Sequence, residues 1–292
     1  MACARQELLT TPDELASCLG DARLRIIDCR FDLMAPDAGR KGWLEAHVPG
    51  AVYADLDKDL SGPIGADTGR HPLPAIAEAE ATFSRLGIDA DTRVVAYDDA
   101  NGAIASRAWW LLRWLGHRHV TVLDGGLQAW RSRGLPLESG AQEAAPRRFR
   151  ATVCPDRVLT TAEIAKNLDA MTDRLLIDVR DAARFRGEVE PIDTRAGHIP
   201  GTRNLPFGDC LRRDGTWLEP AELRERLEPV LGKRGSVPWA VMCGSGVTAC
   251  HVVISGLLAG YSEPRVYVGS WSEWIRDTSR PIARAAPHEV GQ

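Results

Sequence analysis

Short apolar runs alternate with amphipathic segments along the whole chain. LRIID (24–28) and RLLID (174–178) are too short for buried helices and are bounded by charge. RVVAY (93–97) and WAVM (239–242) are unbroken apolar runs, the pattern of parallel strands covered on both faces. An amphipathic stretch follows each: SRAWWLLRWLG (106–116) and CHVVISGLLAG (250–260). Thr11 with Glu14, and Thr160 with Glu163, have the capping-box spacing of helix starts. Strands alternating with helices predict an α/β fold of two domains, each a mostly parallel sheet flanked by helices.

The two domains read as one unit written twice. LRIIDCR (24–30) and AHVPGAVYADL (46–56) are answered by RLLIDVR (174–180) and GHIPGTRNLPF (197–207). VTVLDGGLQAW (120–130) is answered by RVYVGSWSEW (265–274), with Gly125/Gly269 and Trp130/Trp274 both 144 residues apart. The segment 140–156, rich in Ala, Pro and Arg and without apolar periodicity, reads as a linker between domains 1–139 and 157–292. Features common to both copies are expected to be scaffold: His47 and His198 in the H-[VI]-P-G turns, the aspartates of DCR and DVR, and Trp130 and Trp274.

Positions where the copies differ are more informative. Carrying the 144 offset across sets Cys243 against Asp99, and GSGVT against ANGAI. Strand C-termini are where open α/β sheets carry their sites. A glycine-rich loop running into a helix can turn backbone N–H groups toward the sulfur, and with the helix N-terminus it stabilises an anion there. Gly244 and Gly246 leave the sulfur open to an incoming atom.

Composition narrows the alternatives. The 292 residues are 44% hydrophobic and 26% charged, and the 36 Lys and Arg are spread along a chain of net charge −4. No nucleic-acid partner is expected, nor any membrane partner, because nothing approaches the ~20 apolar residues of a spanning helix. The N-terminus has no apolar signal-like run, so a cytoplasmic protein is expected. Seven cysteines without CxxC or zinc-ligand spacing predict neither a disulfide framework nor a metal site.

CGSGVTA (243–249), GHIPG (197–201) and GSWSEW (269–274) together resemble the tandem-domain rhodanese sulfurtransferases over nearly the full length, and the loop resembles their 3-mercaptopyruvate branch. The resemblance implies a non-catalytic first domain, a catalytic second one, and a site between them. It implies a small anionic sulfur donor, 3-mercaptopyruvate or alternatively thiosulfate, and a Cys243 persulfide handed to a thiol, cyanide or thioredoxin-like acceptor, with no cofactor. Ser245, His71 in GRHPLP and Asp57 in YADLD match the branch's catalytic trio. The amides of Gly244, Ser245, Gly246, Val247 and Thr248 would hold the persulfide, Arg184 the donor's carboxylate, and Arg186 is a neighbouring candidate. A second family arginine, expected in an EPR motif, is missing: this chain reads EVEPID (188–193), leaving Arg195 as a possible substitute. A cysteine phosphatase would need an arginine where Ala249 stands, and a bare sulfur-relay module is the other alternative.

Overall fold

The computed structural model describes residues 5–166, 168, 175–233 and 237–284. Cys3, and Arg174 at the start of the second repeat's strand, lie outside them. The first half contains β1 (Leu9–Thr10), α1 (Pro12–Ser17), β2 (Leu24–Asp28), α2 (Ala38–Glu45), β3 (Val52–Tyr53), α3 (Ile76–Arg85), β4 (Arg93–Tyr97), α4 (Ala105–Trp114), β5 (Val120–Leu123) and α5 (Gly126–Ser132). The second contains β6 (Val158–Leu159), α6 (Thr161–Lys166), β7 (Leu175–Asp178), α7 (Ala182–Arg186), β8 (Arg203–Asn204), α8 (Pro220–Leu231), β9 (Trp239–Met242), α9 (Ala249–Leu258), β10 (Arg265–Tyr267) and α10 (Ser270–Trp274). The sheets have the same order, β1-β5-β4-β2-β3 and β6-β10-β9-β7-β8, with every strand pair parallel. The chain is an α/β protein of two duplicated sheets.

The shared motifs are scaffold. Arg30 grips Asp28 and donates to Ala46 O at 2.8 Å; Arg180 grips Asp178 and donates to Gly197 O at 2.7 Å. Each buried Asp–Arg pair thus ties a strand end to the turn that carries the histidine. His47 and His198 meet the backbone carbonyls of Trp43 and Phe185 through Nδ1. Trp130 and Trp274 are fully buried, with indole N–H groups bonded to Pro136 O and Pro281 O. Both capping boxes form, at Thr11/Glu14 and Thr160/Glu163.

Register corrects one expectation. Tyr97 pairs with Asp28, and Met242 pairs with Asp178, so the residue after each strand is Asp98 in one half and Cys243 in the other. The counterpart of Cys243 is therefore Asp98, at an offset of 145, and not Asp99. The α4 and α9 starts return to 144, so the first half's loop is one residue longer. An offset taken from downstream glycines and tryptophans cannot reveal an insertion upstream of them.

The halves are joined by one continuous apolar core in which α4 packs on α9, with Trp109, Trp110, Val252 and Val253 fully buried. The segment 140–156 lies outside both sheets, with a 3-10 turn from Pro155, and is pinned: Phe149 is buried, and the N–H groups of Thr152 and Cys154 bond to Leu115 O and Trp114 O. No helix among the described residues is long and apolar enough to cross a membrane.

Candidate active site

Cys243 follows β9 and is only 2% exposed. Its loop is shaped by where its carbonyls go. Cys243 O and Gly244 O accept from Trp271 N and Ser272 N at the start of α10, and Gly246 O accepts from Arg107 Nη1 at 3.3 Å. With these carbonyls anchored outward, the Gly246 N–H turns inward and donates to Cys243 Sγ at 3.1 Å. Gly246 has φ of +76°, and a Cβ there would lie 2.3 Å from Val268 O, so only glycine fits. The loop runs directly into α9 through Thr248, whose backbone is already helical and whose side chain makes no capping bond. Behind the loop, Ser270 accepts the Cys243 N–H at 3.1 Å from a left-handed backbone, φ 54°, a strained conformation for a non-glycine residue.

The first half closes over this loop. Gly69 approaches so closely that a Cβ would lie 2.5 Å from Gly269 O, and Arg70 N donates to Ser272 Oγ at 3.0 Å. His71, next in the chain, puts Nδ1 2.7 Å from Ser245 Oγ, two residues beyond Cys243. Burial, with Arg107 and Arg70 nearby, pulls His71 down to about 3, so its ring is neutral at pH 7. Asp57 Oδ1 lies 3.2 Å from Nε2, yet Nε2 makes no hydrogen bond, so the approach is off line. With a neutral ring this is no ion pair; burial and Asp55 raise the half-exposed Asp57 carboxyl.

The cations divide sharply. Arg184, in the middle of α7, lies beside the loop: a Cβ on Gly244 would be 3.8 Å from its Nη2. The structure does not bring Arg186 there. Two residues along a short helix point in different directions, and Arg186 binds Glu188 in an exposed pair at 2.6 and 2.9 Å. Arg70 also reaches Gly244, with Nη2 at 3.3 Å from the same Cβ position. Sequence reasoning missed it, although it adjoins His71 in a motif that only one copy possesses. Arg195 is partly buried beyond Asp193, beside a cleft of about 680 Å³ that Glu190, Asp193 and Arg284 also line.

Both loop-facing arginines are bound to carboxylates. Arg70 Nη1 lies 2.7 Å from Asp193 Oδ1, Arg184 Nη2 3.3 Å from Asp193 Oδ2, and Arg184 Nη2 2.6 Å from Glu190 Oε1. Arg107 of α4 is different: fully buried, it donates to the carbonyls of Gly246, His71, Pro72 and Leu60. Burial holds it below the usual guanidinium range, and the Cys250 and Cys243 thiols act the other way. Cys250 donates to Gly246 O at 3.4 Å, and its thiol is pushed up to about 12 by burial, which suits packing better than redox chemistry.

A strand-end cysteine whose sulfur meets the Gly246 N–H of a glycine-rich loop, with an aspartate at the matching place in the other half, points to the class. The Rhodanese-like domain family matches residues 11–133 and 160–277, and the chain belongs to that family as a tandem of two such domains. A probable 3-mercaptopyruvate sulfurtransferase of Pseudomonas aeruginosa is 46% identical over 277 residues, covering 94% of this chain and 97% of that protein. The thiosulfate sulfurtransferase of Mus musculus is 36% identical over 276 residues, covering 92% and 90%. Among solved structures, SseA from Escherichia coli, described with the rhodanese fold as a 3-mercaptopyruvate sulfotransferase, superposes with a TM-score of 0.79 at 32% identity, covering 90% of this chain and 98% of that one.

Proposed function

We propose that the protein is a sulfurtransferase that takes sulfur from 3-mercaptopyruvate onto Cys243 and passes it to a thiol, cyanide or thioredoxin-like acceptor. The observation that carries this reading is the 2.7 Å contact between His71 and Ser245, which brings two proton-bearing groups from different halves beside the nucleophile. The Cys243 thiolate attacks the donor's sulfur; the C–S bond breaks and its electron pair passes to the adjoining carbonyl as an enolate. Ser245 donates to the enolate oxygen, and neutral His71, held by its 2.7 Å contact with Ser245, relays the proton that the methylene carbon takes up. The new persulfide releases one proton, so the step is balanced overall. The loop amides of Gly244, Ser245, Gly246, Val247 and Thr248, of which Gly246 N–H already meets Sγ, hold the outer sulfur's charge, and Arg107 supplies a fixed positive charge nearby. Arg184 and Arg70, both beside Gly244, receive the donor's carboxylate.

Thiosulfate is the second reading, favoured by the likeness to a thiosulfate sulfurtransferase, because its leaving sulfite needs no proton and the same sulfur cradle serves. Sulfur transfer to cyanide from each donor, with Cys243→Ser as control, decides between them. A higher kcat/KM with mercaptopyruvate supports the proposal, a higher value with thiosulfate reverses the donor, and activity surviving in the control rejects the mechanism.

A further inference from the structure

Two guanidinium groups lie beside Gly244, but they do not present two free charges. Asp193 reaches both: one carboxylate oxygen lies 2.7 Å from Arg70 and the other 3.3 Å from Arg184. Its side chain is only 4% exposed, so this is a built contact and not a passing surface pair. Glu190, equally buried, binds the same Arg184 Nη2 at 2.6 Å and also meets Arg180, which is already paired with Asp178. Burial pushes Glu190 up, but its hydrogen bonds to Arg184 and to backbone N–H groups hold it below its ordinary value, so it stays ionised. Arg70, Arg180 and Arg184 therefore face Asp178, Glu190 and Asp193, three charges of each sign.

We infer that Asp193 is a specificity-determining residue that sets the donor site for a monoanion and disfavours dianions. The inference rests on the donor reading above and deepens it. A 2-oxo acid thiol brings one carboxylate, which can share the exposed donors of Arg70 and Arg184 while Asp193 keeps the others. Thiosulfate brings two negative charges into the same low-dielectric space, where the second meets the Asp193 carboxylate that already matches Arg70 and Arg184. The site thus selects by charge count as well as by shape, with the repulsive element doing the discrimination.

The test uses the full-length protein with cyanide as acceptor, comparing the ratio of kcat/KM for 3-mercaptopyruvate to that for thiosulfate in wild type, D193N and D193E. D193N removes the charge at nearly constant shape and is expected to lower the ratio by at least about tenfold, mostly through the KM for thiosulfate; D193E keeps the charge and is expected to keep the wild-type ratio. Inhibition by sulfate, a dianion, should tighten in D193N more than inhibition by acetate. An unchanged ratio in D193N, or a ratio that falls equally in D193E, overturns the inference. The wild-type ratio separately tests the donor reading. A wild type that prefers thiosulfate sinks that reading, while the shift on D193N still decides the role of Asp193.

Discussion

Asp98 and Cys243 occupy the same position in the two halves, each the first residue beyond its central strand. Asp98 is fully buried and accepts from the N–H groups of Ala100, Gly102, Ile104 and Ala105 at 2.7–2.9 Å. Burial raises its carboxyl, and those four amides act against the rise. The same kind of loop that bends over a sulfur in one half wraps a carboxylate in the other. Each half also covers its partner's loop: the 69–74 segment lies over Cys243, and Trp217 lies over Gly102, stacked on His251 at 4.2 Å.

Ser245 and His71 are assigned to the leaving enolate, so their loss should be donor-selective. Ser245→Ala and His71→Gln are expected to lower kcat with 3-mercaptopyruvate by about 10²–10⁴-fold. Turnover of thiosulfate, whose leaving group takes no proton, should fall far less. Steady-state rates with both donors check this, and equal losses would contradict it.

Gly246→Ala forces an L-residue into a left-handed backbone and against Val268 O. The backbone alone costs about 1–3 kcal/mol. Relief of the clash moves the amide that binds Sγ, so sulfur loading should fall sharply. Urea unfolding and single-turnover loading measure the two effects.

His71 and His251 are both held at about 3, chiefly by burial, against an ordinary 6.5. Between those values the unfolded chain binds protons that the folded chain refuses, so folding stability falls as pH drops from 6.5 toward 3. Each histidine contributes about 1.4 kcal/mol per pH unit across that window. His251→Gln removes one such group away from the reacting sulfur. Its unfolding free energy should fall less steeply from pH 6 to 4 than that of the wild type, by about that slope. Identical slopes would refute the assignment.

Trp217→Ala empties the space over Gly102 and removes the ring beneath His251. Core truncations of this kind cost about 3–5 kcal/mol, so thermal unfolding should move down clearly. Cys243 should still load sulfur at low temperature, because the 69–74 segment that covers it is untouched.

Much of this was legible in the residues. The duplicated runs predicted both sheets, with β2, β4 and β9 at the expected limits, because short apolar strands flanked by charge leave little freedom. Cys243, Ser245 and His71 stood out as positions where one copy lacks what the other has, and the structure brings them together. Asp98 was missed by one residue because a loop insertion is invisible to an offset measured downstream. Arg70 and the Asp193 bridge were missed because spacing along a chain says nothing about charges meeting across 123 residues. Arg186 misled because two arginines at i and i+2 look alike in sequence but leave a helix on different sides.

The most direct test is the intact mass of the protein after incubation with 3-mercaptopyruvate and no acceptor. Formation of a persulfide intermediate predicts a gain of about 32 Da, mapped to the peptide bearing Cys243, lost on adding cyanide and absent in Cys243→Ser. No added mass, or added sulfur on Cys250 with Cys243 unmodified, would contradict the account.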